Sequence, residues 1–247
     1  MAFNRWRNGL TLGFLLAAVA TAATMWLAAT RKLNLYINPR YDVFAFIMAL
    51  FSFLAIAATS FHSGHVRVNL GVVKISSIVF GVISLCLACS LLLLQPTALT
   101  SSMATQRGIN SSGLNLTTTT LATSGFGVTA YSQFDIREWA SIIGQTSSIS
   151  FYAGKTAHLL GFVSPTSNND PNVFFVSRFY ITCCAMDAQP YGVPVYVPNW
   201  SKKYPKNSWI TVSGGFRANP DKSSAEPIVL APTQINVVPQ PQDPYDH

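Results

Sequence analysis

Charge is what this chain has least of. Lys, Arg, Asp and Glu make up 10% of its 247 residues, against roughly 25% in soluble domains. Acidic residues are scarcer still, nine against sixteen basic ones, and up to Leu94 there is only one, Asp42. Histidine is nearly missing, with four copies. No Gly-x-Ser-x-Gly, no His-Glu-x-x-His and no phosphate-cradling glycine loop occurs, so the enzyme classes tied to those motifs fall away. The net charge of +7 is not a nucleic-acid footprint either. In the soluble part Lys202, Lys203 and Lys206 form the only basic cluster, and three lysines in a turn-like stretch read as a solvated loop.

Where charge is absent altogether, the gaps share a length. Leu10–Ala29, Val43–Phe61 and Ile75–Leu94 contain none. Each is close to the roughly 20 residues that carry a helix across a 30 Å hydrocarbon layer. The spacing predicts three transmembrane helices in a domain of residues 1–94. The first run also resembles a signal peptide, because Arg5 and Arg7 precede it and small residues (Ala28, Ala29, Thr30) end it. It is long for a signal core, however, and two further runs come after it. Arg5, Arg7, Arg67 and Lys74 on one side face Arg31, Lys32 and Arg40 on the other, which orients the membrane domain only weakly.

Residues 95–133 hold 15 Ser or Thr and one charge, Arg107. A stretch so poor in apolar periodicity cannot repay the cost of chain ordering. It is expected to be a mobile tether of the exported kind, which puts the N-terminus in the cytoplasm and the C-terminal domain outside.

Residues 134–247 change character. Phe134–Ile143 has helical spacing, with Ile136, Trp139 and Ile143 on one face, and reads as a lid for the strands after it. Five β-like runs come next: Ala157–Val163, Val173–Cys183, Pro194–Val197, Trp209–Val212 and Ile228–Val238. Turn signals separate them at Ser164 to Pro171, Gln189-Pro190-Tyr191-Gly192 and Gly214-Gly215. One helix and five strands in roughly 110 residues suit an α+β domain built on a small barrel of the oligonucleotide/oligosaccharide-binding (OB) type. A small β-sandwich is the alternative. The Pro-rich tail from Pro239 to Pro244, ending in Tyr245, is expected to lie as an extended strip along this domain.

The chemistry-bearing residues of the domain cluster in Arg178–Asp187, which reads Arg-Phe-Tyr-Ile-Thr-Cys-Cys-Ala-Met-Asp. Cys183, Cys184 and Asp187 give a soft and a hard donor within five residues, and His158 on the first strand is a fourth candidate ligand for zinc or another soft divalent metal. Neighbours on a strand face opposite ways, so one thiol in the core and one outside is the simpler reading. A redox-active pair, bridging to a partner rather than to each other, is a third. A cysteine nucleophile would need a nearby base, and His158 is the domain's only histidine besides His247. Arg178, alone in an apolar strand, should pair with Asp187 or Asp135, or else recognise an anion. His62 and His65 read as solvated loop residues. Cys86 and Cys89, one helical turn apart in the third run, read as a helix–helix contact.

Several of these elements resemble the bacterial YcgQ-type family, accessory subunits of a two-component membrane permease. They are Leu35-Tyr36-Ile37-Asn38-Pro39-Arg40-Tyr41, Gly154-Lys155 with Gly161-Phe162-Val163, the run Arg178–Asp187, Trp209 with Gly214, and Pro241-Gln242-Asp243-Pro244-Tyr245. The resemblance implies a multi-pass protein of the bacterial cell membrane that pairs with a polytopic permease and is linked to metal handling. Many members carry a His-rich stretch after the second span, where this chain has only His62 and His65. The expected function is an accessory permease subunit with an exported β-domain. A membrane-anchored thiol protein of redox chemistry and a purely structural envelope protein stand beside it.

Overall fold

The computed structural model describes residues 17–62, 86, 97–111, 131, 133–222 and 224–247. The chain divides into two compact units, residues 1–97 and 98–247.

In the first unit, helix α1 (Ala17–Ala29) leads through Arg31, whose φ of 56° is left-handed, into a 3-10 turn at Lys32–Leu35. Asn38 then starts the next helix: its side chain accepts from the Arg40 N–H at 3.0 Å while Pro39 supplies a preset φ. Helix α2 (Asp42–His62) comes next. Hydroxyls along both helices bond back to carbonyls one turn earlier, Thr21 to Ala17 at 2.9 Å, Ser52 to Met48 at 2.8 Å and Thr59 to Ala55 at 3.0 Å. No polar side chain of that set needs water, which suits an apolar surrounding.

Of the three expected spans, one corresponds to a described helix of sufficient length and apolarity. The segment Pro39–Thr59, with mean hydropathy 2.1, is the one helix among the described residues long and apolar enough to cross a bilayer. It takes in the expected Val43–Phe61 run as far as Thr59. The described part of the first run is the shorter helix α1. The third run, Cys86 apart, lies outside the described residues.

The second unit is α+β. Helix α3 (Ser101–Arg107) precedes α4 (Ile136–Gln145), the one-turn α5 (Ile149–Tyr152), and strands β1 (Thr156–Pro165), β2 (Val173–Tyr180), β3 (Gln189–Tyr196), β4 (Trp209–Ala218), β5 (Ile228–Val238) and β6 (Tyr245–Asp246). The six strands make one mixed sheet in the order β1-β4-β5-β3-β2-β6, and β1 also pairs with β2. That extra pairing closes β1-β2-β3-β5-β4 into a ring, with β3 and β5 the parallel pair at Val195 and Leu230. Aliphatic side chains fill the ring, among them Leu159, Val163, Val176, Val193, Ile210 and Leu230. Helix α4 shuts one end as the expected lid. A capping box between Asp135 and Glu138 fixes its start, and Ile136, Trp139 and Ile142 are its buried face.

Two expected turns are strand interior. Gln189–Gly192 opens β3, where Pro190 O and both backbone groups of Gly192 bond to Asn110 and therefore point away from β2. By strand alternation the ring nitrogens of Pro190 and Pro194 face the same way, so neither proline deletes a bond to β2. Gly214-Gly215 lies inside β4, at a register shift after Ser213. A Cβ on Gly214 would strike the Ala231 carbonyl of β5, so the glycine serves a close strand approach and not a reversal. The sheet has six strands rather than five because the tail is one of them: β6 runs parallel to β2, with Phe179 opposite Tyr245.

The expected tether is also corrected over its first part. Residues 98–111 are a strap across the ring, with Ser101 and Ala104 buried and α3 packed on β1, β2 and β3. Their binding comes from hydrogen bonds to distant backbone, which composition does not register.

Candidate functional site

The vicinal thiols sit in a turn after β2, not on the strand. Asp187 makes the turn. Its carboxylate accepts from the amides of Cys183 at 2.7 Å and Cys184 at 3.3 Å, while its own N–H donates to the Cys184 carbonyl at 3.0 Å. Consecutive amides aimed at one carboxylate need a tight bend, and the strand ends at Tyr180 for that reason. Arg107 braces the turn from the strap, donating to the carbonyls of Ala188 at 2.5 Å and Ala185 at 3.3 Å.

The two thiols lie side by side in this turn. Cys183 is exposed, Cys184 half-buried, and both are free. The Cys184 side chain, hydrogen-bonded to it, and the Asp187 carboxylate push the Cys183 thiol up to about 11.

The four expected ligands are not brought together. His158, on β1, places Nδ1 2.8 Å from the Ser213 hydroxyl of β4. Asp187 spends its oxygens on amides. Among the described residues no three His, Cys, Asp or Glu side chains are grouped to hold a metal ion. Of the other candidates, His65 and Cys89 lie outside the described residues, His62 ends α2, and Cys86 is exposed.

Arg178 finds a partner other than the two expected. Its Nε lies 3.1 Å from Asp246 Oδ1 on β6, and Nη2 donates to the carbonyls of Asp243 at 3.0 Å and Tyr245 at 3.3 Å. Burial pushes the Asp246 carboxyl up to about 6 against the pull of Arg178, with Asp135 and Asp243 adding negative charge nearby and His247 offsetting it. The guanidinium ties the tail strand to β2 through the Asp246 carboxylate and the carbonyls of Asp243 and Tyr245.

One surface was missed by sequence reasoning. The β1–β2 loop and the β4–β5 loop border an open polar cleft of about 240 Å³, lined by Ser167, Asn168, Asp170, Asn172, Asp221 and Glu226 among others. Asp170 organises its near side, accepting from the Asn172 N–H at 2.7 Å and from the Ser224 hydroxyl at 3.3 Å, and its carbonyl accepts from Trp200 Nε1 at 2.9 Å. Burial holds the Glu226 carboxyl above its usual range. The signal in the sequence is the density of Ser, Asn and Asp in two loops about 55 residues apart, which reads as ordinary turn chemistry until the ring brings them side by side.

The ring, its lid and its tail strand fall within a match to a known family model. Residues 136–246 match the DUF1980 C-terminal domain. The match starts at the first residue of α4 and ends in β6, so it spans the lid, the ring and the tail, and it leaves the strap outside. No curated protein matches the chain. The matched residues include the Cys183–Asp187 turn, Arg178 and both loops of the polar cleft.

Proposed function

We propose that this protein is a non-enzymatic, membrane-anchored accessory subunit of a permease complex, with its C-terminal domain serving as a partner-recognition module. The observation that carries the reading is helix α2. Only 6% of its most apolar window is buried, and Val43, Phe44 and Phe51 are 70%, 64% and 65% exposed. A face of that kind needs lipid or another protein's helices around it. The runs Leu10–Ala29 and Ile75–Leu94, equally free of charge, are read as two further spans, and the C-terminal domain as extracytoplasmic in a bacterial cell membrane.

The domain itself is read as an OB-type barrel. Its ring runs in the order β1-β2-β3-β5-β4-β1 with a parallel β3–β5 closure, and barrels of this type take ligands on the β2–β3 face and in the loops after β1 and β4. The polar cleft between those two loops is the open recognition surface. A thiol-redox role is the second reading, and it rests on the two free thiols Cys183 and Cys184 alone.

Purification of the intact chain from membranes in mild detergent tests the reading. A polytopic membrane protein should co-purify, and charged substitutions in α2, such as Phe51→Asp, should release the chain from it. Recovery of the chain alone under gentle conditions would reject the accessory role.

A further inference from the structure

The outer side of the ring carries a patch that its aliphatic interior does not explain. Phe162 and Phe179 stack with centroids 5.6 Å apart, Trp209 meets Phe162 at 5.8 Å, and Tyr245 of β6 meets Phe179 edge-on at 6.5 Å. These residues, with Phe175 and Ser177, are buried. Their cover comes from the tail strand and the strap.

We infer that residues 98–111 are an intramolecular occupant of a polypeptide-binding face, and that an extended segment of a partner protein takes their place when they detach. The inference rests on the OB-type reading, in which the outer β2–β3 surface is a ligand face.

The strap binds as a peptide ligand would. Its Asn110 N–H donates to Pro190 O at 3.0 Å. The Asn110 carboxamide then donates to Gly192 O at 2.8 Å and accepts from Gly192 N–H at 3.0 Å. A peptide group makes the same two-way pair with a strand edge. That edge is available because β5 meets β3 only at Val195, leaving residues 190–192 open for strand addition. Beside it, Ile109 occupies the space of a missing side chain: a Cβ on Gly192 would come within 2.8 Å of Ile109 Cγ2 and 2.9 Å of Ser177 Oγ. Glycine at 192 is what lets the strap lie flat.

The chemistry of the face selects the class of occupant. Four of the groups it offers are carbonyl oxygens, those of Ala185, Ala188, Pro190 and Gly192. Such a surface repels phosphate and suits a segment rich in N–H donors with one small apolar anchor, which is an extended polypeptide with Arg and Asn near its ends. The strap is also built to come off. Hydrogen bonds hold it, including Leu99 N–H to the Tyr245 hydroxyl at 3.0 Å and Ser101 N–H to Asn207 Oδ1 at 2.6 Å, while only Ser101 and Ala104 of α3 are buried. Segments with so little apolar burial open at free energies below that of global unfolding.

Hydrogen exchange on the intact chain in detergent, paired with peptide binding, tests this. The amides of Ala104, Asn110 and Gly192 should exchange at least 100-fold faster than those of Val176 and Val193 in the ring. A labelled peptide of residues 98–111 should bind the full-length Arg107→Ala, Asn110→Ala variant at least 10-fold more tightly than the wild type, whose own strap competes. The same peptide with Asn110→Ala should lose that binding. Strap amides that exchange only with the ring, or a peptide that binds the variant no better than the wild type, would overturn the inference. If the variant does not fold, exchange in the wild type decides alone. Co-purification failing while the peptide binds sinks the permease reading and leaves this face standing; the reverse result sinks only the face.

Discussion

The wall of the strand ring has two sides, and they are closed by different means. Inside, Val163, Phe174, Val176, Val193, Val195, Ile210 and Leu230 are fully buried and come from five consecutive strands. Strand pairing and the α4 lid suffice to shut that space. Outside, Phe162, Phe175, Phe179 and Trp209 depend on two segments from beyond the ring, the strap at 98–111 and the tail at β6. The interior is therefore cooperative with the fold, whereas the outer patch is a joint that can loosen while the ring stays intact. Removing side chains from each side in turn should separate the two.

The largest effect belongs to the interior. Phe174 is fully buried against Trp200, with ring centroids 5.4 Å apart. Phe174→Ala should cost about 3–5 kcal/mol and lower the denaturation midpoint of the whole domain, strap and ring together. A variant that lost only strap protection would show that the wall has no such division. On the outer side, Gly192→Ala forces a methyl against Ile109 and Ser177. Overpacking of this kind costs about 1–3 kcal/mol. Exchange protection should fall at Leu99, Ala104 and Asn110 and persist at Val176. Equal loss at both would contradict a separable strap.

Legibility in the sequence divides along the same line. The interior announced itself: alternating apolar residues at 157–163 and 228–238 gave strands close to those observed, and Ile136 with Trp139 gave the lid. Local periodicity suffices there because each strand's pattern is set by one buried face. The strap was hidden because its partners are remote. Asn110 meets Gly192 across 82 positions and Leu99 meets Tyr245 across 146, and nothing local in a Ser/Thr-rich stretch distinguishes a docked segment from a free one. Pro190 and Gly214 misled for a related reason. Both residues are common in turns, and only the ring shows that one faces an open edge and the other a crowded neighbour strand. The site was legible in composition and not in geometry, since Asp187 is aimed at two amides and His158 at Ser213.

A smaller test concerns the turn that the strap braces. The Cys183 thiol is raised to about 11 chiefly by its hydrogen bond to Cys184, with Asp187 adding to it. Cys184→Ala should therefore move the onset of Cys183 alkylation to lower pH, read from iodoacetamide rates across pH 7 to 11. An unchanged profile would mean that another group sets the thiol's ionisation. Because Arg107 grips Ala185 and Ala188 from the strap, the Gly192→Ala variant offers a second comparison. Loosening the strap should make the turn more reactive toward the same reagent, and a turn indifferent to the strap would show that the brace carries no strain between them.

The smallest effect lies at the tail, where the outer patch meets a titrating group. The Asp246 carboxyl is pushed by burial up to about 6, above its ordinary 3.8, although Arg178 stands 3.1 Å away. Between those two pH values the folded chain holds a proton that the unfolded chain releases. The associated stability is thus fully present below pH 3.8 and is lost as pH rises through 6. The carboxylate is 21% exposed, so solvent screening trims the effect to on the order of 1 kcal/mol. Asp246→Asn should flatten this slope in denaturation curves taken from pH 4 to 7. It should also weaken the grip on Arg178, lowering protection at Ile181, whose N–H donates to the Asp246 carbonyl at 2.9 Å. A slope that survives the substitution would show that Asp246 does not set it, and that the tail's attachment is independent of this carboxyl.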